Sequence, residues 1–382
     1  MNSTLKHNVS SIFKSEFKTE PKLIFSPGRI NLIGEHTDYN EGFVFPAAID
    51  KGIYLAIEKS NTKSSKVIAI DSNESYEFTL EDLQPITNGG WKNYVLGVIA
   101  EIQNLGRSIE PVNIVFSGDI PIGAGLSSSA ALENAVVFGL NTIFNLGLTK
   151  EEMIHISQKA EHHFVGVNCG IMDQYASMFG EKDTALLLDC KTLETTTHKI
   201  DFGDYSLLLI NTNVSHNLAD SEYNKRRASC ERTVRALGKD SLRSASKKDL
   251  LYKKSLVTND DFNKALYVLE ENERVKSAAF AISNNDLKQL GQLLYQSHEG
   301  LSKHYKVSCS ELDFLVSTTT DNPDILGARM MGGGFGGCTL NLIARSVVDN
   351  FKQKISTAYR KKFNLECEFY SVQLSKGTHI IS

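Results

Sequence analysis

Pro121-Ile122-Gly123-Ala124-Gly125-Leu126-Ser127-Ser128-Ser129-Ala130, running on into Ala131-Leu132-Glu133-Asn134-Ala135, is the stretch on which the fold turns. Before it, Val112-Asn113-Ile114-Val115-Phe116 alternates like a strand. After it, Ala130, Ala131, Leu132, Ala135, Val136 and Phe138 have the spacing of a buried helix. A strand therefore feeds a Gly- and Ser-rich loop that opens a helix. Gly123 and Gly125 carry no Cβ, so a ligand can approach the backbone. The helix start offers unpaired N–H groups and a positive dipole end. Ser127, Ser128 and Ser129 add hydroxyls able to meet phosphate oxygens or a metal. Together these form an anion cradle suited to a phosphate chain.

The cradle is of neither common nucleotide-binding type. No Gly-Lys-Ser/Thr occurs in the chain, so the P-loop lysine is missing. Ser128 stands where a dinucleotide fingerprint needs its third glycine. The ten residues Pro121 to Ala130 resemble the second motif of the GHMP kinases, the superfamily of galactokinase, homoserine kinase, mevalonate kinase and phosphomevalonate kinase.

Outward from the loop, the 382 residues suffice for two domains. With 41% hydrophobic and 23% charged residues the composition is that of a soluble globular protein. The net charge of −4 argues against a nucleic-acid partner. No apolar run approaches membrane-spanning length, and the first 20 residues hold no signal-like apolar region. The six cysteines include no Cys-x-x-Cys pair, which disfavours zinc and fits reduced thiols in the cytosol.

Val9, Phe13 and Phe17 suggest a short N-terminal helix, and Leu23-Ile24-Phe25 a strand. Then Ser26-Pro27-Gly28-Arg29-Ile30-Asn31-Leu32-Ile33-Gly34-Glu35-His36-Thr37-Asp38-Tyr39-Asn40 gathers charges among small residues. Glu35, His36 and Asp38 in a compact loop could meet a polyhydroxylated ligand. A charged loop alone is more often solvated surface. This one closely resembles the galactokinase signature, which is narrower than the superfamily. Strands are expected over 52–59 and 66–80, and a helix from Trp91 to Ile102. Thr149 and Glu152 form a capping box opening another helix. Glu161 falls on that helix's buried stripe, where a carboxylate needs a partner or a cation; a magnesium ligand stands level with a structural salt bridge or a helix rotated slightly outward. In Asn168-Cys169-Gly170-Ile171-Met172-Asp173-Gln174-Tyr175, Asp173 is the only carboxylate of a small loop. The segment resembles that bearing the galactokinase catalytic aspartate, with Asn168 where the family usually has proline. Thr184–Asp189 and Ser206–Ile210 read as buried strands. Ser221-Glu222-Tyr223-Asn224-Lys225-Arg226-Arg227 resembles a galactokinase stretch whose tyrosine contacts the sugar. Gly327 to Cys338 resembles the third superfamily motif. Its Gly332-x-Gly334-x-x-Gly337 precedes a strand, Thr339 to Ala344, and not the helix a dinucleotide site requires. A helix over 346–362 and a final strand over 367–374 are expected.

The resemblance spans Pro27 to Cys338, with all three motifs in order. It implies an α+β, two-lobed GHMP kinase fold, the N-terminal lobe like ribosomal protein S5 (1–200) and the C-terminal lobe ferredoxin-like (201–382). It implies transfer of the γ-phosphoryl of ATP to the C1 hydroxyl of α-D-galactose, the first step of galactose catabolism by the Leloir pathway. Asp173 and Arg29 would be catalytic. Glu35, His36, Asp38, Gly170, Asp173 and Tyr223 would hold the sugar. Pro121, Gly123, Ala124, Gly125, Leu126, Ser127, Ser128 and Ser129 would hold the nucleotide, with Ser128 and Glu161 on Mg2+. The expected partners are galactose and ATP, with no nucleic acid and no membrane, for a monomer in the cytoplasm. Alternatives are a kinase of N-acetylgalactosamine or galacturonate, and a non-catalytic sugar sensor. The intact Ser129-Ala130 and Asp173 argue against the sensor.

Overall fold

The computed structural model describes residues 2–121, 123–214 and 219–381. Ile122 and the side chain of Ser221, both in the motifs quoted above, lie outside these. Among the described residues three sheets organise the fold. The largest runs, in spatial order, His379–Ile380, Lys22–Asn31, Pro46–Lys59, Val112–Gly118, Ser65–Ala69 and Glu74–Phe78. Its pairs are antiparallel except that of Ser65–Ala69 with Val112–Gly118. The N-terminal helix Ser3–Phe17 covers one face, burying Val9 and Phe13 against Phe25, Tyr54 and Val115. Residues on the opposite pleat, such as Ile24, Leu55 and Ile114, pack under Trp91–Asn104 and Ser128–Phe144.

A second sheet, order Ile325–Met330, Cys338–Ala344, Tyr205–Asn211 and Glu368–Val372, is fully antiparallel. The inner strands Tyr205–Asn211 and Cys338–Ala344 are buried over most of their length because both faces of the sheet are covered. Leu207, Leu209, Leu340 and Leu342 point into the core shared with the first sheet. Leu208, Ile210 and Ile343 face the helix Val348–Phe363 through Phe351, Ile355 and Tyr359. A small third sheet joins Phe43–Val44, Thr184–Asp189 and Thr195–Lys199.

Three expectations change. The strand beginning at Leu23 extends from Lys22 to Asn31, so the first half of the Ser26–Asn40 stretch is sheet, not loop. The helix capped by Thr149 ends at Ala160 and continues as a π turn, Glu161–Val165. The wider turn rotates Phe164 and Val165 toward partial exposure, off the stripe a regular helix would keep buried. Glu368–Val372 is not the final strand. The chain returns, and His379–Ile380 pairs with Ile24 and Phe25 at the edge of the first sheet. Among the described residues no helix is long and apolar enough to cross a membrane.

Candidate active site

The glycine-serine loop joins the strand Val112–Gly118 to the helix Ser128–Phe144, as its pattern requires. Ser127, at the N-cap, has a left-handed backbone (φ 59°) and makes no capping hydrogen bond. Its hydroxyl instead donates to Asp173 Oδ2 at 2.5 Å. The first-turn N–H groups are thus left without a side-chain cap. Gly123 has φ 72°, and a Cβ there would meet nothing within 4 Å, so this backbone faces open space. Ser128 is exposed at the first helical position. Ser129 is the serine that hydrogen-bonds Glu161.

Asp173 sits in the first turn of a helix, Met172–Phe179, and not in the loop its surroundings suggested. Met172, Tyr175, Ala176 and Met178 are buried along that helix, and an acid in the first turn suits the dipole. Arg29, near the end of the long first strand, is 4% exposed. Its Nε and Nη2 grip the two Asp173 oxygens at 2.8 and 2.9 Å, a bidentate pair. Its Nη1 donates to Gly125 O at 2.6 Å, tying the pair to the phosphate-type loop. Burial opposes the charge of Arg29, but Asp173 and Glu35 outweigh it and raise its pKa.

Glu161 is buried at the start of the π turn. Cys169 Sγ and Gln174 Nε2 donate to its Oε2 at 3.1 and 3.0 Å. Burial still pushes its carboxyl upward. Behind it, Glu133 is fully buried and also raised, first by burial and then by Glu161. Glu133 Oε1 and Gln174 Oε1 have no hydrogen-bond partner among the described residues. This acceptor-rich corner would welcome a cation. No group of three or more His, Cys, Asp or Glu converges on a metal position among the described residues. Glu161 with Ser129 beside it offers one carboxylate and one hydroxyl, a set that fits a hard divalent ion taking the rest of its shell from phosphate and water, as Mg2+ does.

Across the pocket lie Glu35, His36, Asp38, Gly170 and Tyr223. Burial opposes the charge on Glu35, but Arg329 and Arg29 prevail and hold its carboxyl below the usual range. His36 is buried with a left-handed backbone, φ 62°. Burial pushes its pKa down to about 4, so the ring is neutral at physiological pH. Its Nε2 lies 3.1 Å from Gly333 O, which can only accept, so the proton is assigned to Nε2. Nδ1 then accepts from Tyr39 OH (2.8 Å), Tyr39 OH from Tyr305 OH (2.6 Å), and Tyr305 OH from the Cys230 thiol (3.3 Å). The Tyr223 ring packs against His36 and Tyr39 at 5.4 and 5.3 Å between centroids. Asp38 is pushed up to about 7, by burial and then by Asp173. A Cβ on Gly170 would lie 1.9 Å from Asp38 Oδ2, so Gly170 is there to make room for that carboxylate.

All the expected sugar and catalytic residues thus line one pocket, with Gly125, Ser127 and Glu161 on its other flank. Pro121, Gly123, Ala124, Leu126, Ser128 and Ser129 are not part of its lining. Arg329, Tyr39, Tyr305 and Gln174 stand inside motif stretches of the sequence, which by themselves give them no role. Arg329 left one trace: a lone charge in the otherwise apolar strand Ile325–Met330.

A two-lobed α+β body with an anion-cradling helix start beside a half-buried Arg–Asp pair defines a small-molecule kinase of the GHMP type. Family profiles agree. "GHMP kinases N terminal domain" matches residues 93–181, "GHMP kinases C terminal" 278–361, and "Galactokinase galactose-binding signature" 11–59. The chain is 44% identical to the galactokinase of Thermosipho africanus, over 92% of this chain and 97% of that one. It is 42% identical to the galactokinase of Clostridium tetani, over 94% and 93%. The structure of Lactococcus lactis galactokinase complexed with galactose superposes with a TM-score of 0.94 at 34% identity, covering 98% and 99%. Methanococcus jannaschii mevalonate kinase, 18% identical with a TM-score of 0.67, shares the fold. The chain belongs to the galactokinase family. As a kinase of the GHMP family it uses ATP.

Proposed function

We propose that this protein transfers the γ-phosphoryl group of ATP to the C1 hydroxyl of α-D-galactose, yielding galactose 1-phosphate and ADP. The observation that carries the reading is the position of the Arg29–Asp173 pair. It lies between a sugar-type wall (Glu35, His36, Asp38, Tyr223) and a phosphate-type wall (Gly125, Ser127). The relatives named galactokinase, and the Lactococcus lactis enzyme with galactose, support the choice of sugar.

In this mechanism Glu35, Asp38 and Tyr223 engage the sugar hydroxyls. His36, neutral and committed on both nitrogens, shapes the wall. Asp173, held by Arg29 and Ser127, orients the C1 hydroxyl and receives its proton. In a loose phosphoryl-transfer transition state that proton leaves late, so positioning counts for more than base strength. Arg29 faces the charge spreading over the transferred group. The N–H groups at the start of Ser128–Phe144 hold the phosphates. Glu161, with the hydroxyl of Ser128 or Ser129, would hold Mg2+, which neutralises phosphate charge when bound. Three further inferences accompany the reading. The lobes divide near residue 200. The cytoplasm suits the six free cysteines. The reaction opens galactose catabolism.

The test is ADP release from MgATP with purified protein across galactose, N-acetylgalactosamine, galacturonate, glucose and arabinose. Strong turnover with galactose is expected. Turnover only with another sugar would keep the kinase and overturn the substrate. Binding of galactose and ATP without turnover would replace the kinase by a sensor.

A further inference from the structure

Arginine is rarely buried without compelling partners. Arg329, in the second lobe's strand Ile325–Met330, is fully buried. Its Nε donates to Leu32 O at 2.7 Å and its Nη1 to Met330 O at 2.6 Å. Its Nη2 donates to Asn31 O and, at 2.9 Å, to Glu35 Oε1. Three of these four acceptors belong to the segment Asn31–Glu35, at the end of the first lobe's long strand. The other side of the same carboxylate oxygen takes the Gly332 N–H at 2.8 Å. Two more bonds from the helix Asn259–Ser283 fix the backbone here: Gly34 N–H to Glu271 Oε1 at 3.0 Å, and Tyr267 OH to Glu35 O at 3.0 Å. Glu35 Oε1 is therefore committed to the second lobe, and Oε2 is left for the pocket that Glu35 lines.

We propose that Arg329 is a positioning residue for sugar recognition, a clasp between the lobes that aims Glu35 Oε2 at one hydroxyl of the substrate. The inference rests on the reading of this wall as the sugar site. A guanidinium meets four acceptors spread over a plane, whereas an ammonium is a point donor. Arg329→Lys therefore keeps the charge beside Glu35 but gives up carbonyl contacts and loosens the carboxylate. A misplacement of about 1 Å in a binding group costs up to about 10²-fold in kcat/KM.

The experiment compares wild type and Arg329→Lys on galactose and on each monodeoxygalactose, with the KM for ATP measured alongside. The expected result is a raised galactose KM with an unchanged KM for ATP. One deoxysugar, lacking the hydroxyl that meets Glu35, should be handled equally by both enzymes. An unchanged galactose KM overturns the proposal. So does an equal loss on every sugar and on ATP, the mark of a merely structural arginine. Should Arg329→Lys fail to fold, Glu35→Gln is compared with Glu35→Gln/Arg329→Gln, which leaves no orphaned charge. If Arg329 acts through Glu35, the second change adds nothing to the galactose KM, and a further rise overturns the proposal. Absence of galactose turnover in the wild type would refute the substrate assignment instead, before any variant is compared.

Discussion

The two sides of the proposed site, the sugar wall and the phosphate loop, are built by opposite rules. On the sugar side buried polar groups are held by residues far along the chain, Glu35 by Arg329 and Gly332 and His36 by Gly333, while Tyr39 holds the other His36 nitrogen locally. On the phosphate side, in the loop that adjoins the pocket, a Cβ on Gly123 would meet nothing among the described residues and the helix start lacks a side-chain cap. A sugar offers weak neutral hydroxyls, and discriminating among them needs acceptors fixed before the ligand arrives. A phosphate chain brings its own charge, so uncapped N–H groups suffice. Preorganisation is therefore spent on the sugar wall.

The largest effect should come where the walls meet. Asp173→Asn is expected to lower kcat by at least ~10² while leaving both KM values near wild type, as initial-rate kinetics would show. A large rise in galactose KM at normal kcat would move Asp173 from chemistry into sugar binding. On the phosphate wall, Glu161→Gln should reduce the magnesium-dependent gain in ADP affinity by about 10–100-fold, read by calorimetric titration with and without the metal. An unaltered gain would remove Glu161 from the metal site.

A pair of glycine variants sets the walls against each other directly. Gly170→Ala drives a methyl into Asp38, so galactose KM should climb about tenfold or more while ATP KM holds. Gly123→Ala meets no neighbour among the described residues and costs its left-handed φ, about 1 kcal/mol. It should touch ATP KM alone. Similar changes in both substrates from either variant would erase the distinction.

The smallest effect concerns Asp38, whose carboxyl is raised from the ordinary 3.8 to about 7. Below pH ~4 folded and unfolded chains both hold this proton. Between ~4 and ~7 only the folded chain keeps it, so the stability this group contributes falls with rising pH and stays lost above ~7. Asp38→Asn should therefore raise Tm more at pH 8 than at pH 5, by a few degrees in a thermal melt of the free protein. A pH-independent difference would show that Asp38 is not held in this way.

How far these walls could be read in advance follows from how local their causes are. The strand, loop and helix around Gly123–Ser129 were legible because alternation, glycine and helical spacing are written in consecutive residues. The capping box at Thr149 was legible for the same reason. The turn that carries Glu161 was read as regular helix, because nothing in its residues distinguishes a π turn from its neighbours. His379–Ile380 is too short to show a strand pattern. Asp173 was assigned to a loop because Gly170 hid the helix start two residues on. Arg329 was the hardest to see. Its partners Asn31, Leu32 and Glu35 lie almost 300 residues earlier, and two of them contribute backbone carbonyls that no side-chain pattern marks.

The most direct test is a crystal structure with galactose and a non-hydrolysable ATP analogue bound together. The account predicts the C1 hydroxyl within hydrogen-bonding distance of Asp173, with the γ-phosphate analogue between Arg29 and the start of the helix Ser128–Phe144. It also predicts Glu35 Oε2 on a sugar hydroxyl, with the Arg329 contacts unchanged. A sugar bound with C1 turned away from Asp173, or phosphates lying outside the Gly123–Ser129 loop, would contradict it.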